Sequence, residues 1–459
     1  MVSGERTPTD GGGDRGGLRA ALSGLTTRGR SFLAAGVAAA VCAYVLGQAD
    51  LLRVGLLLAA LPLVCTVVLV RTHYRVAGTR WLSPSRVPAG TEARVHLRVE
   101  NVSRLSTGLL MLQDKVPYVL GPRPRFVLDR VEAGGRREVS YRVRSDLRGH
   151  YPMGPLQLRL SDPFGMCELI RAFSTHDTLV VVPRTEPLPA VRLSGEAPGY
   201  GEGRQRSTAL AGDDDVIPRI YRHGDDLRRV HWRSTARHGE LMVRREEQPQ
   251  RPRCTVLLDT RRTAYRGAGP DSAFEWAVSG AASALAHMLE RGFAVRLLTD
   301  DGNAVPGEAA GGFAGSTQES ADSSGLMMDT LAVIDHSDGG GLSRAYDVLR
   351  GDDGLLIAFF GDLDEEQAAL AARMRRRGRG AVAFLPDGTA WEPPDDVPPA
   401  GAREAFERRL RLLRESGWTA VAVEPGTGLA QYWRQAGQGA AVDGPTAVGG
   451  TTGASGGWS

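Results

Sequence analysis

The chain has 459 residues, with Lys+Arg 56 against Asp+Glu 53 and a formal net charge of +3. That length predicts about two to three domains, and 42% hydrophobic with 24% charged residues is ordinary globular composition. Together they exclude a wholly disordered chain, a collagen-like repeat and a many-span transporter, and so small a net charge gives no bulk attraction to nucleic acid. Lys115 is the single lysine. With abundant Ala and Gly this is the stamp of a GC-rich genome, so an arginine at any one position says little by itself. The 4 cysteines, Cys42, Cys65, Cys167 and Cys254, show no zinc-type or redox spacing and read as isolated small hydrophobes.

Residues 1–30 are rich in Gly, Thr and Arg without apolar periodicity and are expected to be a disordered tail. Residues 31–70 hold two apolar stretches, Phe32 to about Leu46 and Leu51–Val70, split by the Gly47–Asp50 turn. Twenty helical residues span about 30 Å, the thickness of a hydrocarbon core. A basic segment before an alanine-rich run also fits a signal peptide, but a transmembrane helical hairpin accounts for both stretches at once. Arg15, Arg19, Arg28 and Arg30 precede the first stretch, and Arg71, Arg75 and Arg80 follow the second. By the positive-inside rule this two-pass protein of the inner (plasma) membrane should keep both termini and its globular parts cytoplasmic, with Arg53 snorkelling at the outer boundary.

Residues 76–184 change to period two. Ala93–Val99, Glu138–Arg144 and Leu156–Leu160 alternate, Leu179–Val182 is a short apolar run, and Gly and Pro separate them. The pattern predicts an all-β antiparallel sandwich with one wet face. Residues 185–217, rich in Pro and Gly and including Asp213, Asp214 and Asp215, read as a linker. Within 251–436 strands alternate with helices: strands at Cys254–Asp259, Phe293–Thr299, Leu355–Phe360, Ala381–Leu385 and Thr419–Glu424, helices at Ser272–Arg291, near 324–335 and 342–350, and at Asp364–Arg377 and Ala402–Ser416. This is the pattern of an α/β doubly wound parallel sheet. Residues 437–459 return to a Gly/Ala/Thr tail.

Residues 218–250 stand apart. They pack Arg219, Arg222, Arg228, Arg229, Arg233, Arg237, His223, His231 and His238 with Asp225, Asp226 and Glu240. Gly224-Asp225-Asp226 reads as a turn into a helix N-terminus, where carboxylates are favoured. Leu227, Val230, His231 and Ser234 would share a helical face, and Trp232 is expected to be buried. The plainer reading is a charge-paired helix that joins two domains. A hydrolase reading would take His231, His223, Asp225 and Asp226 as metal ligands or acid/base groups. A nucleic-acid reading would use the arginines, but acids cancel much of that charge, and Tyr221 and Trp232 are the only aromatics available to stack. Gly311–Gly315 follows no strand directly and has no lysine, so it is no phosphate loop.

The run Arg219-x-Tyr221-x-x-Gly224-Asp225-Asp226-x-Arg228-x-x-His231-Trp232-x-x-x-Ala236-Arg237-x-Gly239-x-Leu241 resembles the signature of the domain-of-unknown-function 58 proteins. Arg148-Gly149-x-Tyr151 and Asp162-Pro163-Phe164-Gly165 resemble that family's segments in the preceding β-domain. The resemblance implies a von Willebrand factor type A-like C-terminal half, no established enzymatic activity and no cofactor. It also implies an accessory role at the membrane beside a MoxR-type AAA+ ATPase and a transglutaminase-like membrane protein. Many type A domains bind a divalent ion through Asp-x-Ser-x-Ser after the first strand. Here the run is Asp259-Thr260-Arg261-Arg262-Thr263. Asp259 and Thr263 fit, but Arg261 stands where a serine ligand belongs, and a guanidinium has no lone pair to give. The ion position is therefore expected to be degenerate, with Asp259 paired to an arginine or capping the sheet edge. Asp300 ends the next strand and would lie nearby if the topology allows. The function expected from all this is a membrane-anchored, non-enzymatic adaptor.

Overall fold

Two apolar helices come first among the residues described by the computed structural model, which are 24–73, 76–104, 106–107, 109–162, 164–173, 176–193, 218–221, 230, 232–244, 252–307, 313, 319–350, 354–375, 380–391 and 401–442. The chain divides into two units, Met1–Val182 and Pro183–Ser459.

In the first unit α1 (Thr27–Leu46) and α2 (Ala49–His73) form the hairpin. Thr26 caps α1, its Oγ1 accepting from the Gly29 amide, and Gly47 closes it in the left-handed region at φ 67°. The helices approach through small residues. A Cβ on Gly36 would stand 2.6 Å from the Ala59 amide nitrogen, and one on Gly55 would stand 2.8 Å from that of Ala40. Gly36-xxx-Ala40 therefore faces Gly55-xxx-Ala59, the small-residue packing that membrane helices use. The large apolar side chains, among them Tyr44, Leu46, Leu56 and Leu57, point outward and are exposed. Both helices are long and apolar enough to cross a membrane.

The β-rich part that follows comprises β1 (Val76–Ser83), β2 (Arg86–Pro88), β3 (Glu92–Asn101), β4 (Leu110–Asp114), β5 (Arg125–Leu128), β6 (Arg136–Arg144), β7 (Gly149–Met153), β8 (Leu156–Ser161), β9 (Glu168–Phe173) and β10 (Asp177–Val182). They form sheets of order β1-β3-β6, β2-β10-β7 and β5-β4-β8-β9. One core joins Val95, Leu97, Val99, Leu112, Leu158 and Leu179 from all three. Pairing is antiparallel except where β2 runs parallel to β10, an exception to the all-antiparallel expectation.

A buried ionic knot ties these strands. The Arg80 guanidinium, fully buried on β1, donates to Asp114 Oδ1 at 3.0 Å on β4, to Asp177 Oδ2 at 2.9 Å on β10 and to the Met153 carbonyl at 2.6 Å on β7. Tyr141 of β6 donates to Asp114 Oδ2 at 2.6 Å. Arg80, counted above among the basic residues after the second stretch, is thus spent inside the domain. Each of its three nitrogens donates to an acceptor, as burial of a guanidinium demands.

The second unit holds β11 (Pro218–Ile220), α3 (Trp232–His238) and β12 (Met242–Arg244). Then come β13 (Arg253–Leu258), α4 (Ala273–Glu290), β14 (Ala294–Thr299), β15 (Ala304–Val305), α5 (Glu319–Val333), α6 (Ser343–Leu349), β16 (Leu355–Phe359), α7 (Glu365–Met374), β17 (Ala381–Pro386), α8 (Ala402–Glu415), β18 (Thr419–Val423) and α9 (Leu429–Val442). The main sheet has order β15-β14-β13-β16-β17-β18. β13, β14, β16, β17 and β18 are parallel, as expected, but the two-residue edge strand β15 is antiparallel and was not anticipated. Alternate residues feed two cores. Cys254, Val256 and Leu258 pack with α4, α5 and α9, while Leu257 packs with α6, α7 and α8. Ser272 and Glu275 start α4, the serine accepting from the Glu275 amide, in the spacing of a capping box. α4 lies so close to the sheet that a Cβ on Gly280 would stand 2.5 Å from the Phe359 ring.

The stretch 185–193, read from sequence as the head of a linker, lies on this α/β core. Leu188 and Leu193 are buried in it, and the Glu186 amide donates to Ser283 Oγ at 2.9 Å. The Glu186 carboxylate accepts from the Ala430 amide at 3.3 Å, a negative charge at the N-terminus of α9. α9 itself runs to Val442, past the expected start of the tail at 437. Residues 1–23, Asp213–Asp215 and 443–459 lie outside the described residues.

If the knot holds the β-domain together, Arg80→Ala leaves Asp114 buried without a cation. It should cost about 3–5 kcal/mol, the range for breaking a buried pair. Pulse proteolysis of the detergent-solubilised protein in urea reads this as a lower midpoint for cleavage within residues 76–182; an unchanged midpoint would contradict the assignment.

Candidate functional site at the sheet edge

The signature segment builds a small module. β11 and β12 pair antiparallel, Val230 bridges Val243, and the Tyr221 amide donates to the Leu241 carbonyl at 2.7 Å. α3 packs on β12, where Thr235 Oγ1 accepts from the Met242 amide at 3.0 Å. Gly239 ends α3 at φ 74°, its amide donating to the Thr235 carbonyl, so a glycine is wanted there. Two expectations are corrected. Val230 lies in the bridge rather than on a helical face, while the helix start expected after Gly224-Asp225-Asp226 falls outside the described residues. Trp232 is 71% exposed instead of buried. Ala236 and Arg237 are exposed too, and Leu241 is 40% exposed. Arg219 lies on β11. Gly224, Asp225, Asp226, Arg228 and His231, and with them His223 of the hydrolase reading, lie outside the described residues.

The second candidate group sits where the chain switches direction across the sheet. From β13 the chain goes first to β14 on one side and later to β16 on the other. In open α/β sheets ligands bind at such a point, beyond the carboxyl ends of the strands. Here Asp259 and Arg261 fill it. Arg261 Nε donates to Asp259 Oδ1 at 2.9 Å and Nη2 to Oδ2 at 2.7 Å, a two-point clamp with both side chains buried. The amides of Arg261 and Gly361 each add a bond to the carboxylate at 3.1 Å. Nη2 also reaches the Asp362 carbonyl at 3.3 Å, and the Tyr265 hydroxyl donates to the Asp259 carbonyl at 2.9 Å. The Asp362 carboxylate is taken by Arg409 at 2.7 Å.

Asp300, at the end of β14, does lie beside this group. It is fully buried and accepts from the Thr260 amide at 2.8 Å, from the Thr260 hydroxyl, and from Ser337 Oγ at 2.7 Å. The Ser337 amide donates to the Thr260 carbonyl, and the Arg262 amide to the Ser337 carbonyl. Loops after β13, β14 and α5 are thus sewn together. Thr263 belongs to a short 3-10 turn and is exposed. Sequence reasoning missed Ser337, whose link to Asp300 spans 37 residues with no local signal.

The donor chemistry does not fit a divalent ion. Each Asp259 oxygen already accepts a guanidinium N–H, and that fixed charge repels a second cation. Burial pushes the Asp259 carboxyl up from the ordinary carboxylate range, while Arg261 and the two amides pull the other way. Burial alone would loosen the Arg261 proton; the bonds to Asp259 outweigh it and hold that group above its ordinary value. Among the described residues no three His, Cys, Asp or Glu side chains converge as metal ligands.

Asp259→Ala and Arg261→Ala should each cost about 3–5 kcal/mol by stranding the partner charge. The double variant should fall well short of the sum, because the two act as one unit. Urea unfolding followed by near-ultraviolet circular dichroism measures this, and additive losses would refute the clamp. Trp232→Ala, by contrast, should change stability by no more than about 0.5 kcal/mol, as befits an exposed site; a loss of several kcal/mol would show that the indole is covered.

Comparison with known proteins adds the following. No curated protein matches the chain. Solved structures match small parts at low similarity. The CARDB domain of the PF1109 protein from Pyrococcus furiosus, in complex with di-metal ions, is 9% identical over 23% of this chain and 87% of that one, with a TM-score of 0.17. The Pseudomonas fluorescens alkylpurine DNA glycosylase AlkC, bound to DNA containing an abasic site analog, is 10% identical over 29% and 38%, with a TM-score of 0.17. The sporulation control protein Spo0M from Bacillus subtilis is 12% identical over 23% and 49%, with a TM-score of 0.15. Likeness at this level carries no argument about function. The signature is different in kind: residues 218–310, from β11 through the Asp259–Arg261 clamp to β15, match the family described as Protein of unknown function DUF58.

Proposed function

We propose that this chain is a membrane-anchored, non-enzymatic adaptor whose α/β head docks a protein partner, a MoxR-type AAA+ ATPase, beside a transglutaminase-like membrane protein. In this reading α1 and α2 hold it in the inner (plasma) membrane with both termini cytoplasmic. The β-rich part is a sandwich next to the anchor in sequence. The head is a von Willebrand factor type A-like domain that has exchanged its ion for a guanidinium. The observation that carries the reading is the Asp259–Arg261 clamp. The position where a ligand or ion would meet the sheet is filled by a saturated internal ion pair, which favours a built-in structural surface over a reaction centre. The parallel sheet flanked by helices on both faces supports the type A-like reading. The exposed Trp232 and Arg237 on the family segment offer contact residues of the kind enriched at protein interfaces.

Affinity capture of the full chain from detergent extract should recover a MoxR-type ATPase, and Trp232→Ala should weaken the capture without lowering the yield of folded bait. Repeated capture without any such ATPase would overturn the partner. Calorimetric titration with magnesium should show no saturable heat. Saturable binding abolished by Asp259→Ala would overturn the ion exchange.

A further inference from the structure

We propose that the loop 162–167 between β8 and β9 is a lipid-contacting foot, with Phe164 seated at the headgroup–acyl boundary of the bilayer; this rests on reading α1 and α2 as membrane-inserted. The loop is built to hold its shape. The Asp162 carboxylate accepts from the amides of Phe164 at 3.1 Å and Cys167 at 2.6 Å, and the Gly165 amide donates to the Asp162 carbonyl at 3.0 Å. Gly165 sits at φ 67°. These bonds leave a large apolar ring, Phe164, 59% exposed. An exposed ring alone is ordinary on a protein surface; its place against the hairpin is what gives it a partner.

The hairpin says where that surface is. Thr26 Oγ1 donates to the Gly165 carbonyl at 2.7 Å, and a Cβ on Gly29 would stand 2.3 Å from the Met166 carbonyl oxygen. On α2, Thr66 Oγ1 lies 2.9 Å from Cys167 Sγ. The loop therefore rides directly on the first turn of α1 and on the Thr66 level of α2. From Gly29 to Leu46, and from Thr66 back to Ala49, is about 17 residue steps, or about 26 Å of helix. The hydrocarbon core is about 30 Å thick. If the Gly47 turn reaches the far boundary, the loop cannot stand clear of the near one.

One neighbouring feature agrees. Arg28, exposed on α1, brings Nη1 to 3.8 Å from where a Gly165 Cβ would be, a cation beside the loop. The sheet row that adjoins the loop, Ser161–Glu168, is polar, so the apolar part of the foot is Phe164.

The test is photocrosslinking of the full chain in vesicles of phosphatidylcholine and phosphatidylglycerol. p-Benzoylphenylalanine replaces Phe164, or Tyr44 on the hairpin, or Tyr118. The last is 91% exposed and follows β4 at the end of the sheet opposite the loop. All three positions are exposed aromatics, so folding is preserved. Lipid adducts from 44 and 164 with none from 118 are the expected result. Adducts from 44 alone would overturn the foot while leaving the hairpin in the membrane. No adducts at all would overturn the hairpin reading, and adducts from all three would mean that the β-domain meets lipid without the orientation proposed.

Discussion

Beyond the central strand of the α/β sheet, Asp259 and Arg261 are withdrawn from water as a pair, and the arrangement of that edge depends on their doing so together. Either charge alone would carry a desolvation cost of several kcal/mol. Two parallel N–H···O bonds and two backbone amides offset it, and the geometry admits no slack. The clamp reaches Gly361 and Asp362 after β16, while Asp300 and Ser337 bind the adjoining loops after β14 and α5. Four segments distant in sequence are thereby fixed at the point where an open α/β sheet would receive a ligand. The charge that Asp259 meets there belongs to the chain itself, and it cannot dissociate or exchange.

The β-domain uses the same physics for a different end. Arg80 is as deeply buried, but its donors fan out to Asp114, Asp177 and the Met153 carbonyl, on three strands, and Tyr141 completes Asp114 from a fourth. A wholly apolar core would hold these sheets together as well. The knot fixes which strand lies opposite which, because only one register satisfies every donor. That precision matters where the domain also seats the hairpin, through Thr26, Gly29 and Thr66 against residues 165–167.

How much of this the sequence showed follows from the range of each interaction. The parallel strands were legible because strands buried on both faces read as unbroken apolar runs, as Leu355–Phe359 does. The hairpin was legible from length and apolarity. Asp259 and Arg261 were legible because they lie two residues apart and because a guanidinium cannot ligate a cation. The knot around Arg80 was not legible, since its partners lie 34 to 97 residues away and no local pattern marks them. Trp232 was misread because aromatic size predicts burial only on average, and a seven-residue helix lying on a two-stranded hairpin has too little surface to cover an indole. The strand β15, two residues long, is below the reach of any periodicity.

Two helices apolar enough to cross a membrane precede a β-domain that packs on them, and in the α/β unit the position beyond the sheet is filled from within. That closure is the central claim, and diffraction can see it directly. Crystals of the protein soaked in manganese should give no anomalous peak at Asp259, and the Arg261 guanidinium should remain paired to the carboxylate through both nitrogens. A manganese peak bonded to Asp259, with Arg261 swung aside, would contradict the account at its root.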